Sequence, residues 1–583
     1  MSDSELEDAL ENLSLVVEPG TPQPKSAGTL PLSPFRSPGR AGRSPTRPLP
    51  ADKALTGGAV PSLAFDSSSN VALKKELVEI KREFIGVDVE VPLGPSPKEP
   101  SDISIELQDA DKSVEIKEEQ KELTPRIEEF LKLARDHGLQ HSRASTKVLI
   151  SASAHLHRYT RPWASKRELS TIVERPERLL ACYMGLGAAY MVAPLEIVEV
   201  MRRSSLTAPH VVKVHGKEWI DELIKLVSEV DLKHAANELE VPDTWPSGDI
   251  YLCSDTVKAL EGVIGAIENG VDLIFEAPRN RAFVTIRPPG HHCHEDAASG
   301  FCMLNNAHIA IQYAKSHHQI SHALIFDFDL HHGDGSQDLV WKLGFNSTGD
   351  ADLPMAYYSL HDINSYPTER GYADPALLSA ASVCLDGHGV SIWNVHLEPF
   401  ATEEEFDELY ESKYAVLFHR ALDFLLKAEK ESLANDKPFR PLIVISAGFD
   451  GSEFETPGMQ RHKVHLPTSF YNRFTRDCGA LADRFAAGRL LSLLEGGYST
   501  PAISTGVLSH LTGLANVPFK PSWARNEVAK EFELGAKPRW KPSGQAGAGI
   551  QLGRALFPKK APEQHERIIY TRSLRSRTVE TQL

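Results

Sequence analysis

The sequence predicts an α/β fold in which helices cover both faces of a parallel sheet. Two observations carry this. Short, nearly continuous apolar runs recur in the second and third quarters of the chain and beyond: "KVLISAS", "AFVTIRPPG", "HALIFDFD", "PMAYYSLHD", "PLIVISAGFD" and "RLLSLLEGGY". Strands buried on both faces read this way, without polar alternation. Between several of them lie stretches of helical periodicity, 257–268, 305–316 and 403–429, and strands alternating with helices build parallel sheets. Each apolar run also ends abruptly in Gly, His, Asp or Tyr. In an open α/β sheet the ligand site forms outside the carboxyl ends of the strands, where these polar endings fall.

Taken in chain order, residues 1–120 read as a disordered Ser/Pro-rich regulatory region. "GTPQPKSAGTLPLSPFRSPGRAGRSPTRPLP" holds too few large apolar residues to offset the entropy of ordering. Ser33, Ser37 and Ser44 each precede a proline near basic residues and are candidate phosphorylation sites. A helical lead-in follows at 121–144: Thr124 can cap, Pro125 sits at the first helical position and Gly138 ends the helix. The main folded domain is expected over 145–518, with "VVKVHGKEWIDELIKLVSEV" mixing a short strand with an amphipathic helix. The C-terminal extension, 519–583, is expected to be loop-rich or partly disordered.

Composition excludes several classes. Of 583 residues 41% are hydrophobic, enough for a sizeable core. The net charge of −16 argues against direct DNA binding and favours basic partners such as lysine-rich tails. The six cysteines form no Cys-x-x-Cys pair, so neither a disulfide framework nor a thiolate zinc site is expected, and the compartment reads as reducing. The acidic N-terminus does not resemble a signal peptide, and no apolar run reaches membrane-spanning length.

The densest chemistry lies in "IFDFDLHHGDGSQ", Ile325 to Gln337, where three acidic residues and two adjacent histidines follow an apolar start. A plain strand and polar turn would also read this way. Asp329 and His331, two apart on an extended backbone, would point the same way and pair a carboxylate with an imidazole, donors suited to zinc. Asp450, closing "LIVISAGFD", is a candidate third ligand that would leave coordination positions open, although a strand-end Asp more often caps a turn. His291 and His292 follow a rigid Pro-Pro-Gly turn. Asp327 and Asp334 remain for second contacts, and a carboxylate behind a histidine sets its tautomer and basicity. Tyr498 stands on a Gly-Gly loop after a strand, where a phenol can be aimed into a cleft.

In this order "RPPGHH", "GFC", "DFDLHHGDG", "SAGFDG" and "EGGY" resemble the zinc-dependent histone deacetylase family, in a class II-like style similar to the fungal Hos-type enzymes. The resemblance implies an arginase/deacetylase fold, a single parallel sheet of about eight strands flanked by helices, and hydrolysis of N-acetyl-lysine. It implies that Asp329, His331 and Asp450 hold zinc, that His291 pairs with Asp327 and His292 with Asp334, that His292 is general base and then acid, and that Tyr498 donates to the oxyanion. Gly300 and Phe301 resemble one wall of the lysine channel, and Tyr366 takes the place of the second aromatic, making that wall more polar. Asp327 with the carbonyls of Ser359 and Leu360 is a candidate potassium site, and Asp249, or less well Ser247, matches a rim residue that grips the substrate backbone. Cys302 fits "GFC" and is expected to pack.

The implied setting is the nucleus or cytoplasm, with acetylated histone tails or other proteins as substrates, no membrane, and a homodimer or corepressor-type complex as the assembly. An amidohydrolase acting on acetylated polyamines or small amides would keep the same residues. A non-catalytic scaffold with this fold would have lost one of them, and none of His292, Tyr498 or the three ligand candidates is missing.

Overall fold

Val148 and Ile150 face one side of strand β1 (Thr146–Ser151), Leu149 faces the other, and all are fully buried. The same split recurs along the sheet: Leu324 and Phe326 join one apolar cluster while Ala323 and Ile325 join a second, and Ile443 and Ile445 divide from Leu442 and Val444 in the same way. A strand with apolar partners on both faces has no use for alternation, which is why these runs read as continuously apolar. This computed structural model of the chain describes residues 124–141, 144–344, 353–369, 373–460 and 462–558. The Ser/Pro-rich region expected over 1–120, with Ser33, Ser37 and Ser44, lies outside the described residues.

Helix α1 (Pro125–Asp136) precedes β1, and α2 (Lys166–Thr171) and α3 (Glu177–Tyr190) lead to β2 (Glu196–Val200). Next come α4 (Pro209–Ala235), α5 (Thr256–Glu276), β3 (Arg281–Thr285), α6 (Asn306–His318), β4 (His322–Asp327) and α7 (Asp334–Gly344). The chain continues through β5 (Met355–His361), α8 (Pro375–Ala380), β6 (Cys384–Gly387), β7 (Val390–His396), α9 (Glu403–Leu409) and α10 (Val416–Ala434). It closes with β8 (Pro441–Ala447), α11 (Thr468–Phe485), β9 (Leu490–Leu494), α12 (Thr500–Leu514), α13 (Asn526–Gly535) and α14 (Gly544–Leu556).

The nine strands form one sheet in the order β2-β1-β3-β9-β8-β4-β5-β7-β6. Every pairing is parallel except β6 with β7. That edge hairpin turns at His388 and Gly389, both with positive φ, the backbone a tight two-residue turn requires, so one antiparallel strand joins the roughly eight expected. Residues of α3, α10, α11 and α12 fill the cluster on one face and residues of α4, α5 and α6 the cluster on the other.

Two expectations change. "VVKV" is helical rather than a strand: α4 runs through it with a kink at Gly216, and Val211 and Val214 bury against the second cluster at helical spacing. The stretch after 518, expected to be loop-rich, carries α13 and α14. Its glycines read as flexibility, yet on α14 they let two helices touch: a Cβ on Gly553 would collide with the Tyr183 carbonyl, and one on Gly549 with the backbone of Ala188. Ile550 and Phe532 pack with Met184 of α3 in the space so made.

Candidate active site

Strands β3, β9, β8, β4 and β5 are consecutive in the sheet, and the residues after their carboxyl ends converge. β4 ends at Asp327, so Asp329 and His331 lie beyond it and the extended backbone expected for them is absent. Short carboxylate-to-backbone turns orient them instead. The Asp329 N–H donates to Asp327 Oδ1 at 3.1 Å and the His331 N–H to Asp329 Oδ1 at 3.0 Å. Asp450, arriving from β8, accepts from the Leu330 N–H at 2.9 Å, which ties the two segments together. His331 Nδ1 then lies 3.1 Å from Asp329 Oδ1 and 3.0 Å from Asp450 Oδ2.

The donor atoms of Asp329, His331 and Asp450 all fall within 4.8 Å of one another. Both carboxylates are buried, and two carboxylates this close and out of water either share a proton or hold a cation between them. Burial alone raises both acids. His291 and His331 hold Asp329 low, while the charge of Asp329 keeps Asp450 raised. Gly496 completes the cage: its N–H donates to Asp329 Oδ2 at 2.7 Å, and a Cβ there would collide with the Asp329 and Asp450 carboxylates. Two oxygens and one imidazole nitrogen in a tight buried cluster fit a zinc ion.

The tandem histidines sit beside this cluster with ring centroids 4.0 Å apart. His291 Nδ1–H donates to Asp327 Oδ2 at 3.1 Å, and His292 Nδ1–H to Asp334 Oδ1 at 2.7 Å. Both Nδ1 atoms are thereby committed, leaving Nε2 for chemistry. The environments push the two rings apart. Burial lowers both, but the Asp329 and Asp327 charges lift His291 well above the ordinary range, whereas His292, also facing His291, falls to about 4. Opposed shifts in adjacent groups mark divided acid–base roles.

The loop that carries Tyr498 is held from three sides. Arg178 of α3 donates to the Gly497 carbonyl at 2.6 Å and to the Glu495 carbonyl. Glu455 accepts from the N–H groups of Tyr498 and Ser499 at 2.8 and 3.1 Å. The Glu495 carboxylate, pushed up to about 7 by burial, accepts from the Gly290 N–H at 2.7 Å and so joins this loop to the histidine segment. Burial and the Asp450 charge keep the Tyr498 phenol protonated. Its ring centroid lies 5.7 Å from that of Phe301, and the Tyr366 ring lies 5.0 Å from that of His292. Tyr366 also bonds the Ser299 hydroxyl. Gly300 adopts φ +48°, and a Cβ there would strike the His292 ring.

Beneath the site Arg287 is fully buried, bonded to Glu174 at 2.8 and 2.6 Å and to the Ala154 and His157 carbonyls. Glu174 also pairs with Arg178 at 3.1 Å. Sequence reasoning assigned no role to Arg178, Glu174, Glu455 or Glu495. Glu495 stands inside "EGGY" and Arg287 inside "RPPGHH", but nothing in a sequence shows that a charged side chain will be buried. Of the remaining candidates, Asp327 pairs in register with Ser359 on β5, whose hydroxyl bonds His361 at 2.9 Å, and Leu360 is buried. Asp249 is half-buried and raised by burial, and its charge is felt at Tyr366. The Ser247 carbonyl is taken by Arg161 at 2.6 Å. Cys293 and Cys302 are buried, which pushes both thiols well up and leaves them unreactive.

Residues 172–514 match the histone deacetylase domain model, and the chain belongs to the histone deacetylase family. It is 48% identical over 450 residues to histone deacetylase HOS3 of Saccharomyces cerevisiae, an alignment covering 71% of this chain and 65% of that one. It is 33% identical over 299 residues to histone deacetylase 6 of Caenorhabditis elegans, covering 50% of this chain and 26% of the other. Polyamine deacetylase HDAC10 of Danio rerio is 25% identical over 348 residues, with 59% and 45% covered. The chain thus spans just under two thirds of the yeast relative's length and about a quarter of the worm relative's. Among solved structures, the HDA15 HD domain aligns with a TM-score of 0.47 and 23% identity, covering 71% of this chain and 95% of that chain.

Proposed function

We propose that this protein is a zinc-dependent lysine deacetylase acting on N-acetyl-lysine in histone tails or other proteins. The observation that carries the reading is the convergence of one three-donor cluster, two His–Asp pairs and a protonated tyrosine at the ends of adjacent strands.

Bound by Asp329, His331 and Asp450, zinc would supply Lewis-acid polarisation of the amide carbonyl and lower the pKa of water from about 15.7 toward about 7. The chain's own residues do the rest. His292, neutral at pH 7 and fixed through Nδ1 by Asp334, takes a proton at Nε2 from the attacking water and returns it to the departing lysine amine. His291, held through Nδ1 by Asp327, tunes the charge beside the reacting centre or shares the proton work. The Tyr498 hydroxyl donates to the oxyanion that develops on the carbonyl. Phe301 and Tyr366 flank the lysine methylenes, and Asp249 accepts from the substrate backbone at the mouth. Asp327 with the Ser359 and Leu360 carbonyls, adjacent in register on β4 and β5, would hold a potassium ion and so place positive charge at the strand ends. The net charge of −16 favours lysine-rich substrates, in a nuclear or cytoplasmic setting and within a homodimer or corepressor-type complex.

The test is zinc content measured alongside turnover of an acetyl-lysine peptide, with an acetylated polyamine as competing substrate. Stoichiometric zinc and chelator-sensitive peptide hydrolysis are expected. Turnover indifferent to chelation, or confined to the polyamine, rejects the reading.

A further inference from the structure

Asp334 has a second partner besides His292. Helix α7 presents Asp334 and Asp338 one turn apart on a single face. The ring of His294 bridges them, with Nε2 3.2 Å from Asp334 Oδ2 and Nδ1 3.1 Å from Asp338 Oδ2. A neutral imidazole can donate from one nitrogen only and would turn a lone pair toward the other carboxylate. Two carboxylates on two ring nitrogens therefore require the imidazolium. The ring is partly exposed, with 29% of its side-chain surface accessible, so the chain of contacts runs from the buried His292 to the molecular surface.

We propose that His294 is a positioning residue for the reaction: as a standing imidazolium it clamps Asp334 to α7, and through Asp334 it fixes the ring of His292. This rests on the deacetylase reading above. The arrangement is a continuous run of contacts from the neutral His292 through the charged groups Asp334, His294, Asp338 and Lys342, the last at 3.3 Å. Lys342 also reaches Glu295 at 3.4 Å. Without His294, one oxygen of Asp334 would lose its charged donor, and the carboxylate that sets the His292 tautomer would be free to rotate.

The charges around the clamp act in its favour. Burial opposes protonation of His294, but Asp334 and Asp338 outweigh it and lift the ring to about 10. Lys342 balances Asp338, and the Cys293 thiol next in sequence is neutral, pushed well up by burial. His292, His332 and Tyr366 are the other titratable groups that feel Asp334.

The test uses the full chain with 15N-labelled histidine, the His294 ring signal being assigned by its loss in His294→Gln. Both ring nitrogens should read as protonated from pH 6 to 8, and a neutral tautomer at pH 7 overturns the proposal. On acetyl-lysine peptide, His294→Gln should lose about tenfold in kcat, a fraction of the roughly 10²–10⁴-fold that general acid–base catalysis contributes. KM and zinc content should stay at wild-type values. His294→Lys, which keeps a cationic donor, should recover most of the loss. Equal kcat losses in both variants would show that the ring only packs, and would overturn the clamp. The ionisation readout is independent of turnover. A wild type without peptide hydrolysis would reject the deacetylase reading, while the His294 spectrum would still uphold or overturn the clamp.

Discussion

The guanidinium of Arg178 lies over the ring of Tyr498, 5.1 Å from its centroid, while its Nε holds the Gly497 carbonyl at 2.6 Å. One side chain thus supports both the ring that faces the substrate and the backbone that aims it. Arg178→Lys keeps the charge but cannot reproduce the forked hydrogen bonds to Gly497, Glu495 and Glu174. We expect kcat to fall by as much as about 10²-fold through misplacement of the phenol, with little change in KM. Steady-state kinetics on an acetyl-lysine peptide decide it; an unchanged kcat would show that the loop holds itself.

Tyr498→Phe should lower kcat by about 10²–10³-fold, the cost of one oxyanion donor, and His292→Ala by about 10²–10⁴-fold. Neither side chain belongs to the cluster of Asp329, His331 and Asp450, so both variants should retain zinc. Full turnover in either variant would reject its assigned role.

Gly496 leaves room for two carboxylates that a Cβ would displace. Gly496→Ala should weaken zinc binding by about 10–100-fold, the usual size of a disturbance just outside a metal's ligands. Competition against a chromogenic chelator measures this. Wild-type affinity would mean that the cage relaxes without penalty.

The buried pair of Glu174 and Arg287 sets an acid limit on stability. Burial raises the carboxyl, but Arg287 and then Arg178 outweigh it and bring Glu174 to about 2 from an ordinary 4.5. Between those values the unfolded chain binds the extra proton, so the stabilisation is complete above pH 4.5 and is lost as pH falls through about 2. Glu174→Gln leaves Arg287 buried without its partner and should cost about 3–5 kcal/mol near neutrality. Its denaturation midpoint should then vary less across that acid window than the wild type's. Parallel curves for the two proteins would refute the assignment.

On α14, Gly553 meets the Tyr183 backbone of α3 so closely that no side chain fits. Gly553→Leu should destabilise the protein by at least the roughly 1–3 kcal/mol of an overpacked contact. The thermal midpoint should drop while peptide hydrolysis below the melt survives, since α14 supplies none of the site residues. An unaltered midpoint would mean that α14 does not stabilise the domain.

Much of this molecule is written locally in its residues. The apolar runs that became β1, β3, β4, β5, β8 and β9, the helical periods between them and the polar groups at their ends were all legible, because period and residue chemistry are properties of neighbouring positions. So was the choice of Asp329, His331, Asp450, the two histidines and Tyr498 as the residues to watch. The tertiary structure decided the rest. Strand order placed β9 between β3 and β8, which brings Glu495 under Gly290 and Gly496 against Asp329. Burial turned Arg178, Glu174 and Arg287 from apparent surface charges into the site's foundation. His294 gained meaning only when α7 set two carboxylates around it. Contacts between residues tens or hundreds of positions apart depend on how layers pack and on which charges lose their water, and neither quantity exists until the chain has folded.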